Sequence, residues 1–115
     1  MKDRALNVAV FASGGGTNFQ ALLDHQKKQG TWRISVLIMN REAGAAQRAE
    51  AAGVPVRFIP TKDRECKDVL RETLDALSEF DVNVLLLSGY LRKLQSEVVT
   101  RYEGRILNIH PALSL

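Results

Sequence analysis

A chain of 115 residues that is 45% hydrophobic and 25% charged is long enough for one domain and too short for two. Its apolar runs are much shorter than the ~20 residues needed to cross a bilayer, so we expect a cytoplasmic protein with no membrane span and no secretory signal. The net charge of +3 comes from basic residues scattered along the chain, which gives little support for nucleic-acid binding and suits a small anionic ligand. Cys66 is the single cysteine, so an intrachain disulfide is ruled out.

Short apolar runs alternate with helical patterns along the chain. The runs predict strands at 7–12, 34–39, 54–59, 82–87 and 105–109, and the helical patterns predict helices at 17–29, 44–52, 63–80 and 96–102. This alternation is typical of a doubly wound, Rossmann-like α/β fold, with a parallel sheet of about five strands and flanking helices, so we expect a single domain over residues 1–115. Leu115 comes six residues after the last predicted strand, so we also expect the domain to be truncated.

A glycine-rich segment, 13–18 (SGGGTN), separates the first strand from the first helix. Glycines let the backbone turn tightly and bring N–H groups and the positive end of the helix dipole toward an anion. The segment lacks the third glycine of a dinucleotide fingerprint and the Gly-Lys-Ser/Thr of a Walker loop. It therefore predicts a different phosphate-bearing ligand, and the alternative is a turn that binds nothing.

Asn108 and His110 stand two residues apart at the end of the last predicted strand. At that spacing both side chains project from one face, near the carboxyl ends of the strands, where open α/β sheets bind ligands. An imidazole can move a proton near neutral pH and an amide can donate to a developing oxyanion, so the pair suits acyl transfer. A solvated strand end is the alternative. The segment 88–92 (SGYLR) predicts a third loop at the same edge, or a plain strand-to-helix connection.

Three segments in this order, 13–21 (SGGGTNFQA), 88–92 (SGYLR) and 106–111 (ILNIHP), resemble the phosphoribosylglycinamide formyltransferase family. The resemblance covers essentially the whole chain but only about the N-terminal half of such an enzyme. It implies a formyltransferase-like fold and transfer of a formyl group from 10-formyltetrahydrofolate to the amine of glycinamide ribonucleotide in purine biosynthesis. It implies no metal.

The resemblance also implies roles for individual residues. Gly15, Gly16, Thr17 and Asn18 would bind the ribonucleotide phosphate; Arg64, Leu91, Arg92, Lys93, Leu94 and Asn108 would bind the folate; His110 would be the general acid and base, while Asn108 polarises the formyl oxygen. The family also uses an aspartate beyond the histidine, and the chain ends before that position.

Three positions depart from the family pattern. Gly15 stands where the family often has Asn, Lys93 where an apolar residue is usual, and 112–115 (ALSL) where Ser-Leu-Leu-Pro would continue. The last departure motivates the hypothesis of a truncated or frameshifted reading, or of a fragment of a longer chain.

Two other functions stay open at this point. One is a non-catalytic fragment that binds a nucleotide or phosphate sugar. The other is a sister formyl enzyme, either methionyl-tRNA formyltransferase or formyltetrahydrofolate deformylase, although the glycine turn and His110-Pro111 favour the ribonucleotide enzyme. We further expect self-association through an uncovered sheet edge, or a complementary C-terminal half supplied by another polypeptide.

Overall fold

The valine- and leucine-rich runs form a five-stranded sheet, and the segments between them form helices. The computed structural model describes residues 6–12, 17–29, 32–41, 43–88 and 94–109. The strands are β1 (Leu6–Ala12), β2 (Trp32–Met39), β3 (Val56–Phe58), β4 (Val84–Ser88) and β5 (Ile106–Ile109). The helices are α1 (Thr17–Gln29), α2 (Gly44–Ala52), α3 (Cys66–Glu79) and α4 (Ser96–Arg101).

The sheet is parallel throughout, and its strand order is β3-β2-β1-β4-β5. The chain moves outward from β1 to β3 and then returns to the other side of β1 for β4 and β5. The order therefore reverses between β1 and β4, which confirms the predicted doubly wound, Rossmann-like fold.

The carboxyl ends of all five strands are level. Ala12 lies between Met39 and Ser88, Met39 also pairs with Phe58, and Ser88 pairs with Ile109. We call the edge that this row forms the carboxyl edge, and the opposite edge the amino edge. Each connection that follows a strand leaves the sheet from the carboxyl edge.

Apolar side chains cover both faces of the sheet. On one face Ala9, Phe11, Leu85 and Leu87 pack against residues of α3 and α4, and on the other face Val10 and neighbouring residues pack against α1 and α2. Each fully buried Leu, Val or Phe contributes about 1.5–3 kcal/mol through loss of water contact. The uninterrupted hydrophobic run of β4 is thus buried on both faces, as its sequence predicts.

The predicted bounds of the third helix and the third strand were wrong, and β2 and β4 each begin two residues away from their predicted starts. The third helix begins at Cys66 rather than at Asp63, because Asp63 has a left-handed φ of 59° and Glu65 is extended at φ −75° and ψ 142°. The third strand has three residues rather than six. It starts directly after Pro55, which has no N–H to donate to the ladder, although the carbonyl of Pro55 still accepts from Leu37 N at 2.9 Å.

β5 lies at one edge of the sheet, and its Leu107 is 60% exposed. Within the part of the chain that the structure describes, no helix is both long enough and apolar enough to cross a membrane.

Candidate active site

The sequence-predicted site residues that the structure describes lie at the carboxyl edge. Thr17 and Asn18 form the start of α1, Arg64 lies between β3 and α3, Leu94 precedes α4, and Asn108 is in β5. Gly15, Gly16, Leu91, Arg92, Lys93 and His110 lie outside the described residues. The fold thus brings the starts of α1, α3 and α4 and the end of β5 to one edge.

The start of α1 is placed by packing. Phe19 and Leu23 are fully buried against the sheet, which fixes the helix beside β1 and β2. The first turn of α1 carries no acidic residue, whereas its last turn carries Lys27 and Lys28, as the helix dipole favours. The first turn is therefore free of side chains that would repel an anion.

Arg48 of α2 lies beside this first turn. Its Nη1 donates to Oε1 of Gln20 at 3.4 Å, and the amide nitrogen of Gln20 donates to Asp24 at 3.1 Å. The guanidinium adds positive charge near the start of α1. Sequence reasoning missed Arg48, because an arginine within an Ala-rich helix carries no signal until the packing of α1 on α2 is known.

Asn40 is a second residue that sequence reasoning missed. It follows Met39 directly, so it lies just past the end of β2 and next to the end of β1. Its Oδ1 is buried and has no hydrogen-bond partner among the residues that the structure describes. A buried acceptor without a partner is uncommon and calls for a structural or functional reason.

Arg64 is paired with an acid. Its Nη1 donates to Oε1 of Glu72 and to the carbonyl of Pro60, each at 3.1 Å, and its Nη2 donates to Oε2 of Glu72. The hydrogen bond from Arg64 lowers the pKa of Glu72, so this carboxylate stays ionised below its usual range. Arg64 is therefore fixed where the connection leaves β3.

The starts of α3 and α4 are joined near Arg64. The amide of Gln95 donates to the carbonyl of Cys66 at 3.5 Å, and Leu94 packs against the core cluster on the α3 side. The connection that holds Arg64 thus lies beside the residue that ends the predicted folate-binding segment 91–94.

Asn108 pairs in backbone register with Leu87, one position before the level ends of β4 and β5. The structure therefore places this residue at the carboxyl edge, as the sequence predicts. The geometry of the pair that it forms with His110 stays a prediction.

A cavity of about 500 Å³ lies at the amino edge, lined by residues that include Asn7, Arg33, Ser35 and Asp81. It lies at the opposite edge of the sheet from the predicted site, so we do not count its lining residues among the site residues. Among the described residues, no group of three His, Cys, Asp or Glu side chains is arranged to hold a metal ion.

Comparison with known proteins gives consistent results along the chain. The profile of a family described as formyl transferase matches residues 6–114. The chain is 38% identical to the chloroplastic phosphoribosylglycinamide formyltransferase of Vigna unguiculata, over 96% of its own length and 36% of that protein. It is 39% identical to the trifunctional purine biosynthetic protein adenosine-3 of Gallus gallus, over 98% of its own length and 12% of that protein.

The solved glycinamide ribonucleotide transformylase 1 of Geobacillus kaustophilus superposes with a TM-score of 0.84 at 36% identity. The match covers 96% of this chain and 60% of that one. The chain therefore spans about a third of the plant relative and three-fifths of the bacterial one.

Proposed function

Because the chain belongs to the formyl transferase family, we propose that it transfers a formyl group from 10-formyltetrahydrofolate to the amine of glycinamide ribonucleotide in purine biosynthesis. The predicted family resemblance is confirmed. The observation that carries the proposal is that the described members of the predicted site, Thr17, Asn18, Arg64, Leu94 and Asn108, all belong to one edge of the sheet. Open α/β sheets bind their ligands at this edge, outside the carboxyl ends of the strands.

The ribonucleotide phosphate is assigned to Gly15, Gly16, Thr17 and Asn18. The support is the position of Thr17 and Asn18 at the start of α1, where backbone N–H groups and the helix dipole favour an anion. The guanidinium of Arg48 beside the first turn adds to this preference.

The formyl donor is assigned to Arg64, the segment from Leu91 to Leu94, and Asn108. Arg64 supplies a fixed, partly exposed cation that fits a carboxylate-bearing molecule. The bond between Gln95 and Cys66 supports the grouping, because it joins the two connections that carry these residues.

His110 and Asn108 carry the chemistry. The amine nitrogen of the ribonucleotide attacks the formyl carbon while the amide of Asn108 donates to the formyl oxygen, where negative charge develops. The bond from the formyl carbon to the donor nitrogen then breaks, and His110 moves the proton that the amine loses to the leaving nitrogen. No metal takes part in this assignment.

Of the two alternative functions, the comparisons disfavour the sister formyl enzymes and leave the non-catalytic fragment open. The names of the relatives favour the ribonucleotide enzyme over methionyl-tRNA formyltransferase and the deformylase. A non-catalytic phosphate-sugar-binding fragment stays an outcome of the experiment, because the chain spans only part of its relatives. The cytoplasm stays a prediction, since two relatives are named as chloroplastic.

The experiment is an assay of formyl transfer from 10-formyltetrahydrofolate to glycinamide ribonucleotide by the purified protein and its His110→Ala variant. His25→Ala is the matched control, because His25 is exposed on α1 and its ring centroid lies 6.0 Å from that of Trp32, at the start of β2. We expect His110→Ala to lose at least about a hundredfold in kcat, while His25→Ala keeps the wild-type rate.

Each outcome has a separate meaning. Equal turnover by the wild type and His110→Ala would contradict the assignment of His110. Ribonucleotide binding by the wild type without any turnover would favour the binding fragment.

A further inference from the structure

The ion pair between Arg64 and Glu72 leaves part of the guanidinium available. A guanidinium has five N–H donors in a planar fork. One N–H of Nη1 and one N–H of Nη2 donate to the carboxylate of Glu72, and the other N–H of Nη1 donates to the carbonyl of Pro60. Glu72 thus occupies the terminal edge of the fork, between the two terminal nitrogens.

The lateral edge of the fork is formed by Nε–H and the remaining Nη2–H. Neither donor has a partner within the part of the chain that the structure describes. This edge has the same bidentate geometry as the terminal one, so a second carboxylate can bind there without displacing Glu72. The side chain of Arg64 is 26% exposed, which leaves it partly open to solvent and hence to a ligand.

The location adds a second argument. Arg64 lies in the connection that leaves β3 at the carboxyl edge, and Glu72 is on α3, whose Val69, Thr73 and Leu77 are buried. Glu72 is thus presented from a helix that packs firmly on the sheet. Arg64, in contrast, lies in a connection between two elements, where it would otherwise sample several rotamers.

We propose that Glu72 is a positioning residue, which holds Arg64 so that its lateral edge faces a carboxylate of the formyl donor. This inference rests on the function proposed above. An arginine loses rotamer freedom when it binds a ligand, and that loss opposes binding. Because Glu72 has already ordered the side chain, the donor meets a prearranged fork.

Removing Glu72 separates positioning from simple charge. If the carboxylate of Glu72 acted only by its charge, its loss would leave Arg64 more positive and the donor would bind more tightly. If Glu72 positions Arg64, its loss weakens donor binding although the site becomes more positive. The two effects have opposite signs in the KM for the donor.

The experiment compares Glu72→Gln with Glu79→Gln. Glu79 is a matched control on the same helix, because it also forms an ion pair with an arginine, Arg57, at 2.7 Å. It is the last residue of α3 and lines the cavity at the amino edge. We expect Glu72→Gln to raise the KM for 10-formyltetrahydrofolate about two- to tenfold with kcat unchanged, and Glu79→Gln to change neither. In an Arg64→Ala background, Glu72→Gln should have no further effect on KM.

A second readout does not depend on activity. The side-chain Nε–H of Arg64, followed by NMR with ¹⁵N labelling, should give a dispersed signal in the wild type and in Glu79→Gln. In Glu72→Gln it should move to the position of a freely rotating arginine. The melting temperature of each variant checks that it is folded.

An unchanged or lowered KM in Glu72→Gln, or an Arg64 signal that Glu72→Gln leaves in place, would overturn the proposal. No formyl transfer by the wild type would instead overturn the proposed function and the ligand assigned to Arg64. The Arg64 signal would then still decide whether Glu72 holds the guanidinium.

Discussion

The two edges of the sheet use their polar side chains differently. At the amino edge every polar group of Asn7 is paired. Its backbone N–H donates to Asn83 Oδ1 at 2.9 Å, and its carbonyl accepts from Asn83 N at 2.8 Å. Its side-chain Nδ2 donates to the carbonyl of Asp81, and its Oδ1 accepts from Arg33. At the carboxyl edge the Oδ1 of Asn40 and two N–H donors of Arg64 have no hydrogen-bond partner among the described residues. Polar side chains at the amino edge therefore join the strands to each other, while those at the carboxyl edge keep groups that can bind a ligand.

Ser35 is an exception at the amino edge, because its buried Oγ has no hydrogen-bond partner in the described part of the chain. The register between β1 and β2 explains why a polar residue is tolerated there. Val8 pairs with Ile34 and Ala9 with Val36, so Ser35 is the extra residue of a β-bulge. The bulge keeps the apolar residues on either side of Ser35 in their places.

The largest effect is expected at the carboxyl edge. Asn108→Ala removes the amide that we assign to the formyl oxygen, so kcat should fall about a hundredfold or more, with the melting temperature unchanged. Steady-state kinetics and thermal unfolding of the same preparation measure both quantities. A variant that loses stability but keeps its turnover would remove the contrast between the edges.

At the amino edge we expect the opposite: a substitution should lower stability and leave turnover unchanged. Asn83→Ala leaves the N–H of Asn7 without its acceptor, so the free energy of unfolding should fall by about 1–2 kcal/mol. Turnover per folded molecule should stay at the wild-type value. Denaturant unfolding provides the first number, and a change in KM for either substrate would show that the amino edge also serves the site.

Asn40→Ala is the counterpart of Asn83→Ala, because it also removes an Asn amide but at the carboxyl edge. Its Oδ1 makes no hydrogen bond to any residue that the structure describes, so the free energy of unfolding should change by less than about 1 kcal/mol. Denaturant unfolding beside Asn83→Ala tests this directly. A loss as large as that of Asn83→Ala would mean that Asn40 is bonded in solution.

The smallest effect is expected from the pH dependence of the Arg64–Glu72 pair. The pKa of Glu72 is lowered in the folded state, first by its hydrogen bond from Arg64, so the pair stabilises the protein above the unfolded pKa near 4.5. That contribution is lost as the pH falls through the lowered value. The melting temperatures of the wild type and Glu72→Gln should differ slightly at pH 7 and converge once the pH falls below the lowered pKa of Glu72. A difference that persists in acid would point to packing rather than charge.

Most of the fold could be predicted from the sequence, because alternation of apolar runs with helical patterns directly reflects burial between layers. The same alternation predicted that the residues after each strand share one edge. The start of α3 was missed because Asp63 suits both a helix cap and a left-handed turn, and only the structure shows which one it adopts.

The contacts that shape the candidate site were less predictable. Arg64 and Glu72 are eight residues apart, with Arg64 before α3 and Glu72 on it. This spacing predicts contact only if the residue at which α3 begins, and hence the face on which Glu72 lies, is known. The approach of Arg48 to Gln20 depends on how α1 packs on α2, and the burial of Asn40 Oδ1 depends on the residues that surround it. Such relations arise between elements and leave no local pattern.

The level row from Phe58 through Ala12 to Ile109 has a consequence for how the protein can change. The register of each strand is fixed by its neighbours within the sheet, so a connection that follows the row can lengthen, shorten or exchange its residues without shifting any strand. Substrate preference and interior packing can therefore vary independently, and a lineage can acquire a new specificity by rewriting loops while the hydrophobic layers stay as they are.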